Sequence, residues 1–184
     1  MRFASSMAIV AICFTAVSTL AQAQCVPVTH AADDYVALSN FWGTRFPLCR
    51  IRDGSNNAYA HRIRGVVYAD QAWLDRIALS YGPWAATGIL AHEWGHMVQG
   101  PVEGTAAELQ ADCLAGVFMK GVGLPWPTVE QFAAVNWSEG GDPYWTPDGH
   151  GTKAQRVVAA RRGYYGYFGQ TGFALLDLCP LSAF

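Results

Sequence analysis

The stretch that most constrains this chain lies between two glycine–proline pairs, Gly82-Pro83 and Gly100-Pro101, and contains His92-Glu93-Trp94-Gly95-His96. Proline is well tolerated at the first position of a helix, where its missing N–H would be unpaired anyway, and a Gly-Pro pair stops a helix already begun. The punctuation predicts one helix from Pro83 to about Gln99. Inside it, histidines four residues apart lie on one face, one turn apart, so both imidazoles can reach a single ion. Glu93 does not ligate in such an arrangement. It lies beside the open position of the ion, where it can take a proton from water that the ion activates.

A tetrahedral catalytic zinc takes three protein ligands and a water, so the motif demands one more ligand. An adamalysin-like metzincin would place glycine three residues after His96 and histidine six after it. Gln99 and Val102 hold those positions, which excludes that class. The downstream candidates are Glu103, Glu108, Asp112 and His150. Glu103 sits in a Gly/Pro-flanked connection, where its aim is poorly fixed. Glu108 and Asp112 are four apart on a helix predicted from about Thr105 to Lys120, ended by Gly121 and Gly123, and face the same way. If that helix packs back against the first, Glu108 can ligate while Asp112 hydrogen-bonds a ligand histidine from behind. A competing reading makes Thr105-Ala106-Ala107-Glu108 a capping box, with the glutamate folded back onto the helix N-terminus. Beside H-E-x-x-H the ligand reading is favoured, because the ion would otherwise lack an acid on a rigid element.

The sequence has 184 residues, 52% of them hydrophobic, which suits one domain with an ample core. A net charge of −2 without any stripe of Lys and Arg excludes nucleic acid as a partner, since phosphate contacts need clustered cations. Residues 1–23 read as a signal peptide: Arg2 is the positive start, Met7 to Leu20 the apolar run, and Ala21-Gln22-Ala23 the cleavage site. Spanning a bilayer takes roughly 20 apolar residues, so no stable membrane span is expected after cleavage. Cys25 follows Gln24, where lipid attachment would want a small residue. Residues 24–184 are then one exported domain, periplasmic or extracellular. Its four cysteines predict two disulfides, and no C-x-x-C spacing points to a metal site. Of three pairings, Cys25–Cys49 with Cys113–Cys179 is preferred, the first tying down the N-terminal arm and the second tethering the C-terminal tail.

The remaining pattern predicts a helix over Ala31 to Trp42 and a turn-rich stretch over Phe46 to Arg64. One short strand follows at Gly65 to Ala69, then a helix capped by Asp70 through Leu79. A shorter helix starts at Thr128, Asn136 to Gly151 reads as loop, and Thr152 with Gln155 caps a last main helix. The fold class is α+β, mainly α-helical. Val66 to Ala69 is a candidate edge strand to which an extended peptide could add. His150 reads either as an electrophile for the oxyanion of a tetrahedral intermediate or as a surface or capping histidine, and Tyr144 or Tyr164 could play the first part instead. Arg156 is expected to pair with a carboxylate such as Asp112. Trp126, Trp137 and Trp145 read as core or loop anchors.

Three blocks carry a resemblance: His92-Glu93-Trp94-Gly95-His96-Met97-Val98-Gln99, then Glu108-Leu109-Gln110-Ala111-Asp112-Cys113-Leu114-Ala115-Gly116, then His150-Gly151-Thr152-Lys153-Ala154-Gln155-Arg156. Together they look like the bacterial neutral zinc metallopeptidase family, over about residues 65 to 165. That family resembles the gluzincins, whose third ligand is the glutamate of an E-x-x-x-D pair. The resemblance implies a small gluzincin-type domain with one catalytic Zn2+ on His92, His96 and Glu108, and Asp112 in support. It implies hydrolysis of a peptide or protein substrate. Family members commonly carry a cytoplasmic or membrane-anchored N-terminal region and a cysteine pair ahead of the strand; only Cys49 stands there in this chain. Two other readings compete: a catalytically silent zinc-containing binding protein, and an amidase acting on a non-peptide amide such as cell-wall material. The intact Glu93 speaks against the first.

Overall fold

Three of the helices begin where a side chain satisfies one of their first N–H groups. In the computed structural model, residues 25–28, 31–51, 54–139, 149–172 and 174–184 are described, with the backbone alone over 136–139. The elements are α1 (Ala32–Trp42), β1 (Leu48–Arg50), β2 (Ala58–His61), a 3-10 turn (Arg62–Arg64), β3 (Val66–Ala69), α2 (Gln71–Tyr81) and α3 (Pro83–Val98). There follow α4 (Thr105–Gly121), α5 (Trp126–Glu139), α6 (Lys153–Gly166), α7 (Ala174–Leu178) and a closing 3-10 turn (Leu181–Ala183). The architecture is α+β and mainly helical, as expected. The Asp70 side chain accepts the Trp73 N–H at 3.2 Å and caps α2. Thr152 and Gln155 form the reciprocal capping box of α6. The α3 helix starts at Pro83, and its Trp84 N–H donates to Gln131 Oε1 of α5 at 3.0 Å. Gly82 has φ 103° there, and a Cβ on it would lie 2.3 Å from that same oxygen.

The stretch over Phe46 to Arg64 is a correction to the sequence reading. It contains two strands and a 3-10 turn rather than turns alone. Val66–Ala69 is also not an edge: β3 is the middle of a three-stranded sheet, parallel to β1 and antiparallel to β2. Small Ala58 and Ala60 leave β2 little strand propensity of its own, so pairing to β3 makes it a strand. Over the outer edge of β1 lies the N-terminal arm, where Arg50 N–H donates to Val26 O at 2.7 Å, Pro27 bridges to Cys49, and Cys25 is disulfide-bonded to Cys49. The covered edge leaves β2 as the margin turned toward α3. Helix α5 begins at Trp126 rather than Thr128 and runs into the stretch read as loop, and α1 starts at Ala32.

Around α3 the core is tight. Trp94, Leu90, Phe118 and Phe132 are fully buried, and Trp94 meets Tyr35 and Phe46 edge-on. Helices α4 and α6 touch backbone to backbone: a Cβ on Gly116 would fall 2.0 Å from Ala160 O, and one on Gly163 would fall 1.8 Å from Cys113 O. The second disulfide, Cys113–Cys179, anchors the C-terminal tail to α4, so both bonds follow the preferred pairing. Two disulfides suggest an oxidising, exported environment. No helix among the described residues is long and apolar enough to cross a membrane. The expected signal peptide over residues 1–23 lies outside the described residues, as do Tyr144 and Trp145; the Trp137 side chain does too.

Candidate metal centre

The two free positions of the H-E-x-x-H motif are set by packing. Trp94 turns into the core, and Gly95 faces α4, where an added Cβ would sit 3.2 Å from the Cα and the carbonyl oxygen of Ala111. That close approach carries the start of α4 to the two histidines. Nε2 of His92 and Nε2 of His96 lie 3.0 Å apart. Glu108 Oε2 stands 3.3 Å from the first and 3.4 Å from the second. Two ligands about 2.1 Å from one ion at the tetrahedral angle stand about 3.4 Å apart, so the triangle is close to the size a zinc-like ion requires. His92, His96 and Glu108 therefore form a group that can hold a metal ion. Glu108 Oε2 is buried and faces the two imidazole nitrogens, as expected of an atom kept for a ligand bond.

The capping box over Thr105 and Glu108 is not formed. Gly104 precedes the helix without a side-chain cap, and Thr105 Oγ1 donates instead to Gly149 O at 2.9 Å. Glu108 is thereby released toward the imidazoles. Burial works against its charge, yet the hydrogen bonds and charges of His92 and His96 hold it well below the usual carboxylate range.

Each histidine is held from behind. Nδ1 of His92 lies 2.9 Å from Asp112 Oδ1, which fixes the tautomer that leaves Nε2 free. Asp112 is fully buried and takes two hydrogen bonds from Arg156, Nε to Oδ2 at 2.8 Å and Nη2 to Oδ1 at 3.0 Å. Burial opposes the Asp112 charge, but Arg156 and then His92 hold its carboxyl below the ordinary range. Burial also opposes a charged His92, but the Asp112 carboxylate, with Glu108 and Glu93 behind it, pushes the imidazole up to about 10. His96 Nδ1 lies 2.9 Å from Gln99 Nε2, and Gln99 Oε1 is buried without a partner among the described residues. Rotating that amide by half a turn presents Oε1 to an Nδ1–H, the tautomer that leaves His96 Nε2 with its lone pair toward the centre. The sequence reading uses Gln99 to end the helix, to exclude metzincins and to close the first resemblance block, but not as a partner of His96. Its place three residues beyond His96, on the same helical face, is the signal that marks it as a partner.

Glu93 is buried and raised, first by burial and further by Glu108; His92, His96 and a hydrogen bond from the Ala60 N–H pull the other way. A cleft of about 420 Å³ opens over these groups. One wall is the β2 margin from Asn56 to Ala60, and the other is apolar, built by Trp73, Ile89, Phe132 and Val135. No sequence signal marks β2 or this apolar wall, because they come from segments far apart in the chain. His150 stands half-exposed at the mouth, its Nε2 3.7 Å from Glu108 Oε2. Tyr164 is elsewhere: its hydroxyl donates to Leu124 O at 2.9 Å, which removes it as the oxyanion group. Glu103 pairs with Arg62 outside the centre, at 3.6 Å. Trp126 packs edge-on against Tyr164, an anchor as expected.

No family model matches the chain, and no curated protein or solved structure matches it significantly.

Proposed function

We propose that the protein is an exported zinc metallopeptidase, periplasmic or extracellular, that hydrolyses bonds in a peptide or protein substrate, as its likeness to the neutral zinc metallopeptidase family implies. The observation that carries this reading is the triangle of His92, His96 and Glu108, whose facing atoms lie 3.0–3.4 Å from one another, with Glu93 lining the same cleft. A zinc ion held by these three side chains supplies Lewis acidity, polarising a carbonyl and lowering the pKa of water. Burial raises Glu93 and makes it a stronger base than an exposed carboxylate. It takes the proton of the attacking water and returns it to the leaving amine. The Ala60 N–H aims that carboxylate. In this reading His150, at the mouth and 3.7 Å from Glu108, donates to the oxygen that gains charge in the tetrahedral intermediate. The β2 margin offers main-chain groups to an extended peptide and holds its scissile carbonyl near the centre.

The test is cleavage of a mixed peptide library by zinc-loaded mature protein beside Glu93→Gln. The variant should keep zinc and lose about 10²- to 10⁴-fold in turnover. Substantial residual activity would sink the assignment of Glu93. Silence from both proteins would turn the reading to a zinc-containing binding protein or to an amidase of non-peptide amides.

A further inference from the structure

The sheet presents two unlike faces beside the cleft. In the β2–β3 ladder, Ala58 is paired with Ala69 and Ala60 with Val67, and Ala58, Ala69 and Val67 are buried. Tyr59 is paired with Tyr68 on the opposite face, their rings stacked at 5.1 Å and 27°. Tyr59 lines the cleft and is 41% exposed although its ring is one of the largest apolar surfaces there. The ladder also decides which backbone groups look outward. Asn57 O accepts from Asp70 N–H across the β3 side, so by alternation the groups of Ala58 and Ala60 point away from β3. The bond from Ala60 N–H to Glu93 agrees with that direction. A peptide running along this margin alternates its side chains between the two faces, and those on the Tyr59 face land about 5 Å from its Cβ.

We propose that Tyr59 is a specificity-determining residue of the cleft: its exposed ring, braced from behind by Tyr68, receives an aromatic or large apolar side chain from a peptide extended along β2. The bracing matters, because a ring already held by its neighbour loses little freedom when a third group stacks on it. The Tyr59 ring face that Tyr68 leaves uncovered matches an apolar or aromatic partner. This inference rests on the peptide reading of the cleft, and its test therefore carries one readout that needs turnover and one that does not.

A positional peptide library, each position fixed in turn as Phe or Ser, is assayed for cleavage by zinc-loaded wild type and for binding to Glu93→Gln. One position should prefer Phe in both assays. Tyr59→Ala, alone and combined with Glu93→Gln, should reduce that Phe/Ser ratio by about three- to tenfold, through KM rather than kcat. Tyr59→Phe should restore it, and zinc content should not move. If Tyr59→Ala fails to fold, Tyr59→Thr carries the same comparison with a strand-forming residue. A ratio unchanged by the substitution, or no position that separates Phe from Ser, overturns the assignment. Cleavage with a Tyr59-independent ratio overturns the assignment alone. A Tyr59-dependent binding preference without any cleavage by wild type leaves the assignment standing and defeats the peptidase reading instead.

Discussion

Glu108 has two local futures in the sequence, a cap of its own helix or a ligand, and its neighbours choose between them. Thr105 is the first residue of the helix rather than its cap and donates to Gly149 O, and two imidazole nitrogens stand within 3.4 Å of the Glu108 carboxylate. Glu108→Ala should then weaken zinc binding at least tenfold in a chelator competition, and unchanged affinity would return Glu108 to a structural role. A second consequence follows from His92. Its pKa, pushed up to about 10 by Asp112 and the acids behind it, means that Nε2 carries a proton at neutral pH when no ion is bound. An ion must displace that proton, so affinity should rise as pH rises toward about 10 and fall as pH drops. Calorimetric titrations at pH 7 in buffers of different ionisation enthalpy should show about one proton released per zinc; no dependence on buffer would contradict the charged His92.

Elements meet at this centre because small residues let them. Gly95 occupies a free position of the motif, yet a side chain there would press on the α4 backbone at Ala111. Gly95→Leu should push the start of α4 outward, costing about 1–3 kcal/mol of stability by overpacking and lowering zinc affinity by more than its effect on folding explains. Chemical denaturation with and without zinc separates the two, and equal loss in both conditions would show that Gly95 does not set the α3–α4 spacing. The sheet teaches the converse. A strand as short as Ala58 to His61, two of its four residues alanine, is too brief for a clear periodic signal, and it is held by pairing to β3 and by lying against α3. That is why the sequence reading puts the sheet edge on Val66–Ala69, one strand too far in.

Across the whole molecule, two disulfides close loops of different length. Cys113–Cys179 spans 66 residues and Cys25–Cys49 spans 24. By loop-closure entropy they stabilise by about 4 and about 3 kcal/mol. Replacing Cys113 and Cys179 together by alanine should lower the melting temperature by roughly 10 °C, and a loss no larger than that from removing the Cys25–Cys49 pair would contradict the entropic ranking. What is legible in the chain alone follows a physical division. Helix limits at Pro83, Asp70 and Thr152, the His92/His96 pair, the Glu108/Asp112 spacing and the partner of Arg156 are readable, because capping and helical periodicity are local and charge pairing is chemically narrow. The middle position of β3, the use of β2 as the cleft margin, the placing of Tyr164 against Leu124 and the apolar wall of Trp73, Ile89, Phe132 and Val135 are decided only by tertiary structure. Each depends on which surfaces come together at long range, and a strand or a wall made by contacts leaves no period in the chain that a local pattern could carry.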